Sequence, residues 1–172
     1  MNTVVINSLL TTLYKSKNLL NELHSNFYCC KEIGPYYSSV GSHIRHVLDF
    51  YNCIFKGLAD KHVNLTSRER DQRIETDCDC AMKAIETIAE RLKELSSVDL
   101  NMMITVEDDL GNGNVELQYT LGSLLAQANG HTIHHYAIIA YILDRLDVEV
   151  KDENFGYNPT TPKQVVKHTK AS

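Results

Sequence analysis

Two short stretches hold the side chains best suited to coordination chemistry. "NGHTIHHYAIIAYIL", residues 129–143, carries His131, His134 and His135 and runs directly into apolar residues, while "GSHIRHVLD" carries His43 and His46. His131 and His135 are four positions apart, so on a helix they stack on one face with Cβ atoms roughly 5–6 Å apart. That is close enough to share a metal ion at bond lengths of about 2.0–2.1 Å. The pair by itself is equally compatible with hydrogen-bonded histidines at the edge of a core. The second stretch alters that reading, because a facing histidine from a neighbouring helix completes a set of three imidazoles. Three protein nitrogens leave a fourth position open for water or substrate, as catalytic rather than structural zinc requires.

Residue spacing excludes several rival chemistries. A zincin needs H-E-x-x-H with the glutamate as general base, and Thr132 stands in that second position. Di-iron bundles use E-x-x-H pairs, and no histidine of this chain has a glutamate three residues before it. Cys53 follows His46 by seven residues, about 10.5 Å along a helix, too far to share an ion, and is read as core. A bis-histidine haem is left open by the spacing, although no C-x-x-C-H attachment site supports it. The cysteines Cys29, Cys30, Cys53, Cys78 and Cys80 are odd in number and lack C-x-x-C spacing, so they read as reduced thiols.

Helices must position these histidines. From Thr3 to about His24, Ile6, Leu9, Leu10, Leu13, Leu20 and Leu23 recur at three- and four-residue steps and predict an amphipathic helix. Gly34 and Pro35 break the pattern, and Ser38 or Ser39 can cap a second helix running from about Val40 to Ala59. Residues 60–75 are polar and charged without an apolar period, so they read as a solvated connection, although Arg68, Arg70 or Arg73 could edge a pocket. Asp77 is a plausible N-cap for a third helix striped by Ala81, Ile85, Ile88, Leu92 and Leu95. "MMITV" and "VELQY" alternate as strands around the turn-rich "EDDLGNGN" and predict a short hairpin. The last helix is expected from Thr120 to about Asp147, with Leu124, Ala128, His131, His135, Ile138 and Ile142 in one inward arc.

The expected architecture is therefore all-α: one domain over residues 1–172, a four-helix bundle with a short β-hairpin before the last helix. Residues 148–172 form a tail that either straps the bundle or frays. A formal net charge of -5 argues against nucleic acid or an anionic membrane as partner and favours a small molecule or another protein. The start "MNTVVINSLL" has no basic leader pattern, and the longest apolar stretch, Tyr136–Leu143, is too short to span a bilayer, so the expectation is a soluble cytoplasmic protein.

The pairing of "HIRHVLD" in the second helix with "HTIHHYAII" in the last resembles the DinB/YfiT-like superfamily, and "FGYNPTTPK" is similar to the tail of one DinB-like subgroup. The resemblance covers most of the chain. It implies up-down-down-up connectivity, a homodimer, and a divalent transition metal, zinc or nickel first, held by three histidines. One ligand would come from the second helix in an H-x-x-D or H-x-x-E setting, which His46-Val47-Leu48-Asp49 matches. The other two would be His131 and His135. Apolar periodicity slightly favours His43 over His46, so His43 stands as the substitute ligand. His134 points about 60° away from His131 and is read as a neighbour of the ligands. His24, His62 and His168 read as solvated.

Such an ion would lower the pKa of a bound water or thiol. Two enzymatic readings follow: a hydrolase of a small substrate, or a transferase delivering a low-molecular-weight thiol to an electrophile. The resemblance points to the second, and the lack of a carboxylate base beside His131 and His135 leans the same way. The alternative is a non-catalytic helical dimerisation or binding module with a structural or incidental metal.

Overall fold

The computed structural model describes residues 2–162. In chain order the elements are α1 (Asn2–Leu20), α2 (Ser25–Cys29), α3 (Val40–Gly57), β1 (His62–Asn64), α4 (Gln72–Thr76), α5 (Cys78–Glu94), β2 (Met103–Asp109), β3 (Asn114–Thr120) and α6 (Leu121–Arg145). The helix starts follow from local hydrogen-bond chemistry. Ser39 Oγ accepts from the Ser42 N–H at 3.0 Å, Asp77 Oδ1 from the Asp79 and Cys80 N–H groups, and Thr120 Oγ1 from Ser123 N–H at 3.1 Å. Each satisfies amide donors that the first helical turn leaves without partners.

The long helices α1 and α3 each pack against both α5 and α6. Their apolar stripes meet in a core that includes Leu9, Leu13, Ile44, Leu48, Ile85, Ile88, Leu92, Leu124 and Ile139, all essentially inaccessible to solvent. Burial of this kind supplies the main favourable contribution to folding, at about 25 cal/mol per Å² of apolar surface.

The expected all-α class is incorrect: the chain is a mixed α and β structure. A three-stranded sheet in the order β1-β2-β3 pairs β1 parallel to β2, with Val63 opposite Val106, and β2 antiparallel to β3, with Val106 opposite Leu117. The hairpin anticipated around "EDDLGNGN" is one side of this sheet. The missing strand lies inside the run read as a solvated connection. There Val63 and Leu65 are buried while their neighbours are not. Two apolar residues are too few to establish a two-residue period, and the parallel partner lies some forty residues further along the chain. The short helices α2 and α4 were likewise below the length that periodicity detects.

Two close approaches fix the surroundings of α3 and α6. A Cβ on Gly41 would stand 2.1 Å from the Glu75 carbonyl oxygen, so only glycine lets α4 lie directly on α3. Gly156 has φ 74 and passes so near α6 that a Cβ would sit 2.6 Å from Ala137 N. The tail up to residue 162 is thus a strap. Phe155 stacks on Tyr136 with ring centroids 4.7 Å apart, and Lys15 donates to the Asn154 carbonyl at 2.7 Å. The remainder of the expected tail, including His168, lies outside the described residues. Among the described residues no helix is long and apolar enough to cross a membrane.

Candidate metal centre

The two histidine-bearing stretches lie on α3 and α6, which pack against each other. On α6 the buried face is centred on Leu125, Ala128, Thr132, Tyr136 and Ile139. The expectation that His131 and His135 sit at the centre of the inward arc is therefore shifted by about one residue: both are half-buried at its edge, where α6 meets α3. A helix packed between two neighbours buries a wider arc than a single moment direction describes.

There His46, His131 and His135 come together. One ring nitrogen of each lies within 4.8 Å of the others, so the group could hold a metal ion. Ring centroids are 4.9 Å apart for His46 and His131, 4.5 Å for His46 and His135, and 4.5 Å for His131 and His135. Phe50 closes one side, its ring 4.9 Å from that of His131. Tetrahedral coordination with metal–nitrogen bonds of about 2.0–2.1 Å brings ligand nitrogens to roughly 3.3 Å, a contraction open to side-chain rotation.

The donor set suits a cation. His131 Nε2 is buried without a hydrogen-bond partner, a condition that Gln127 Oε1 and Asn129 Oδ1 share on the same helix, but among the three converging rings it is the ring nitrogen left open for a ligand. Burial, followed by the Arg68 guanidinium, lowers the pKa of His46 and of His131 to about 4, and burial followed by His131, His46 and His43 lowers that of His135 to about 2. All three rings are neutral near pH 7 and present lone pairs rather than protons.

His43, favoured by periodicity, occupies a different place. Its Nδ1 is 2.8 Å from His135 Nδ1 and its Nε2 is 2.8 Å from Ser38 Oγ. It engages the ring of His135 from behind, and burial followed by the neighbouring His134 lowers its pKa. Such contacts fix the tautomer and orientation of a coordinating ring. His134 is exposed, its ring edge-on to His135 at 5.2 Å, and it is not in the converging group. His24 is exposed and caps α2, whereas His62 is exposed on β1 with Nε2 3.5 Å from Glu116.

No carboxylate belongs to the group. Asp49, which completes the H-x-x-D pattern after His46, turns instead to Arg45, and Arg45 also meets Glu75 on α4 at 3.2 Å. The residue that sequence reasoning underrated is Arg68. It lies in the run read as solvated, yet its Nη1 is 3.2 Å from His46 Nδ1 and its Nε donates to the Leu65 carbonyl at 2.9 Å. Its placement is local in origin. Asn64 Oδ1 accepts from the Thr66 and Ser67 N–H groups at 2.8 and 3.1 Å and turns the chain from β1 back toward α3. The "NLTS" turn pattern was the available signal. Of the other arginines proposed to edge a pocket, Arg73 pairs with Asp71 on the surface and Arg70 is exposed.

Comparison with family models, with curated proteins and with solved structures finds no match.

Proposed function

We propose that this chain is a metal-dependent thiol transferase of the DinB/YfiT-like kind, with His46, His131 and His135 holding a divalent transition metal, zinc or nickel. The observation that carries the reading is the meeting of three neutral ring nitrogens from two helices with no carboxylate among them. When bound, the ion supplies a Lewis-acid position that favours the ionised form of a thiol or water. In the reaction a low-molecular-weight thiol gives its proton to solvent and forms a sulfur–carbon bond with an electrophile, whose leaving group departs with the bonding electron pair.

The protein's own residues supply geometry. His131 and His135 are held one turn apart by the continuous backbone of α6, and His46 faces them from α3. His43 holds the ring of His135, and Phe50 limits water on the His131 side. Hydrolysis of a small substrate would want a nearby general base, and the closest candidate of the H-x-x-D pattern, Asp49, is engaged by Arg45.

Element analysis of purified protein tests the centre. About one divalent transition metal per chain is expected for the wild type, with less than a tenth of that in His46→Ala and His131→Ala. Full metal content in both variants sinks the proposal. With cobalt as the ion, a thiol-dependent change in the visible spectrum supports the transferase, whereas ester turnover without thiol points to a hydrolase. A metal with no exchangeable position would make the chain a non-catalytic module.

A further inference from the structure

Arg68 stands beside the three histidines with no salt bridge of its own; the buried Asp49 carboxylate feels its charge but is held by Arg45. Among the described residues no carboxylate lies within ion-pair distance of its guanidinium, whereas Arg45 is paired with Asp49 and Glu75 and Arg73 with Asp71. Its Nε is committed to the Leu65 carbonyl, which aims the terminal nitrogens at α3, where Nη1 meets His46 Nδ1. A guanidinium has donors only, so in that contact His46 Nδ1 must be the acceptor.

This hydrogen bond and coordination by His46 are mutually exclusive. If His46 coordinates through Nδ1, the lone pair that Arg68 uses is taken. If it coordinates through Nε2 as a neutral imidazole, the ring proton moves to Nδ1, which then confronts Arg68 as a second donor. Either way Arg68 loses its acceptor while its backbone tether keeps it beside the centre. The loaded site would then contain a divalent charge and a guanidinium beside three neutral rings, with the nearby Asp49 carboxylate already paired with Arg45.

Resting on the proposed thiol-transferase reading, we infer that Arg68 recognises an acidic group, carboxylate or phosphate, on the small molecule whose donor atom occupies the open metal position. The planar fork of arginine matches a two-oxygen acid in a way that a lysine ammonium does not. The substrate class is thereby narrowed to an acidic thiol. Arg68 acts in this as a specificity determinant supplied by the turn after β1.

The test uses the full chain loaded with cobalt and two thiol probes of equal size, 3-mercaptopropionate and its neutral amide, with affinity read from the visible spectrum. The wild type is expected to prefer the acid by about tenfold or more, the effect of a charge-assisted hydrogen bond. Arg68→Gln should reduce the preference to about twofold or less while its metal content stays at the wild-type level, and Arg68→Lys should restore part of it. Equal binding of the two probes by wild type, no spectral response to either, or a preference that persists in Arg68→Gln overturns the inference. The last result would mean that the carboxylate is held by the metal itself. Failure of the wild type to take up metal is a separate outcome, which overturns the underlying function and this inference with it.

Discussion

The contact of α3 with α6 contains two polar arrangements side by side, one closed and one open. Tyr51 donates its hydroxyl to Thr132 Oγ1 at 3.3 Å, and Thr132 donates in turn to the Ala128 carbonyl at 2.7 Å. Both side chains are wholly buried, and each hydroxyl has a partner. The adjacent residue His131 is only half-buried, and its Nε2 has no partner. A buried polar group that serves structure is satisfied within the protein, because leaving it unpaired costs about 1–3 kcal/mol. A group that serves a ligand carries that cost until the ligand arrives. The contrast separates two polar residues one position apart on the same helix.

The largest expected effect is on the open side. At a metal concentration about a hundred times the dissociation constant, the wild type should gain about 2.7 kcal/mol of stability, or roughly 5–10 °C in Tm. His135→Ala should lose that gain, while Thr132→Val should keep it. Thermal scans with and without zinc decide this, and equal gains in wild type and His135→Ala would erase the distinction between the two arrangements. Next comes His43→Ala, which leaves the ring of His135 without its rear contact. A metal affinity about 10–100-fold weaker is expected, measured by chelator competition, and an unchanged affinity would remove His43 from the centre.

On the closed side, Thr132→Val strands the buried Tyr51 hydroxyl and should destabilise the metal-free protein by about 1–2 kcal/mol in urea unfolding, with metal affinity unchanged. A loss of metal binding in that variant would show that the two arrangements act as one. The subtlest expectation concerns pH. In the metal-free fold His46 and His131 have pKa values lowered to about 4 and His135 to about 2, against 6.5 for an unperturbed imidazole. Between those limits the unfolded chain binds protons that the folded chain refuses, so full stability is present above about pH 6.5 and is lost as the pH falls toward 4. A urea midpoint followed over that range should drop, and His135→Asn should make the drop shallower. A slope identical in wild type and variant would remove His135 from its cause.

The four long helices were legible because each is written locally. Ser39, Asp77 and Thr120 cap α3, α5 and α6 through side-chain oxygens, and apolar residues recur with the helical period behind them. The hairpin of β2 and β3 was legible for the same reason, its turn residues lying between two alternating runs. That His131 and His135 share a direction also follows from their spacing of four, whatever the rest of the chain does.

Tertiary structure alone decided three things. Periodicity ranks His43 and His46 by their angle to the apolar stripe of one helix, but the ring that meets His131 depends on how α3 lies against α6; His46 meets it, and His43 lies behind His135. The sheet required β1 to find β2 across α4 and α5, a pairing that no local pattern encodes and that overturned the all-α expectation. Arg68 became a neighbour of His46 only because β1 anchors the turn that carries it. Local hydrogen bonds and side-chain period act within a few residues, so the sequence determines its helices, its hairpin and the direction of one histidine pair. What those histidines face depends on contacts between segments far apart in the chain, and only the packed core settles those.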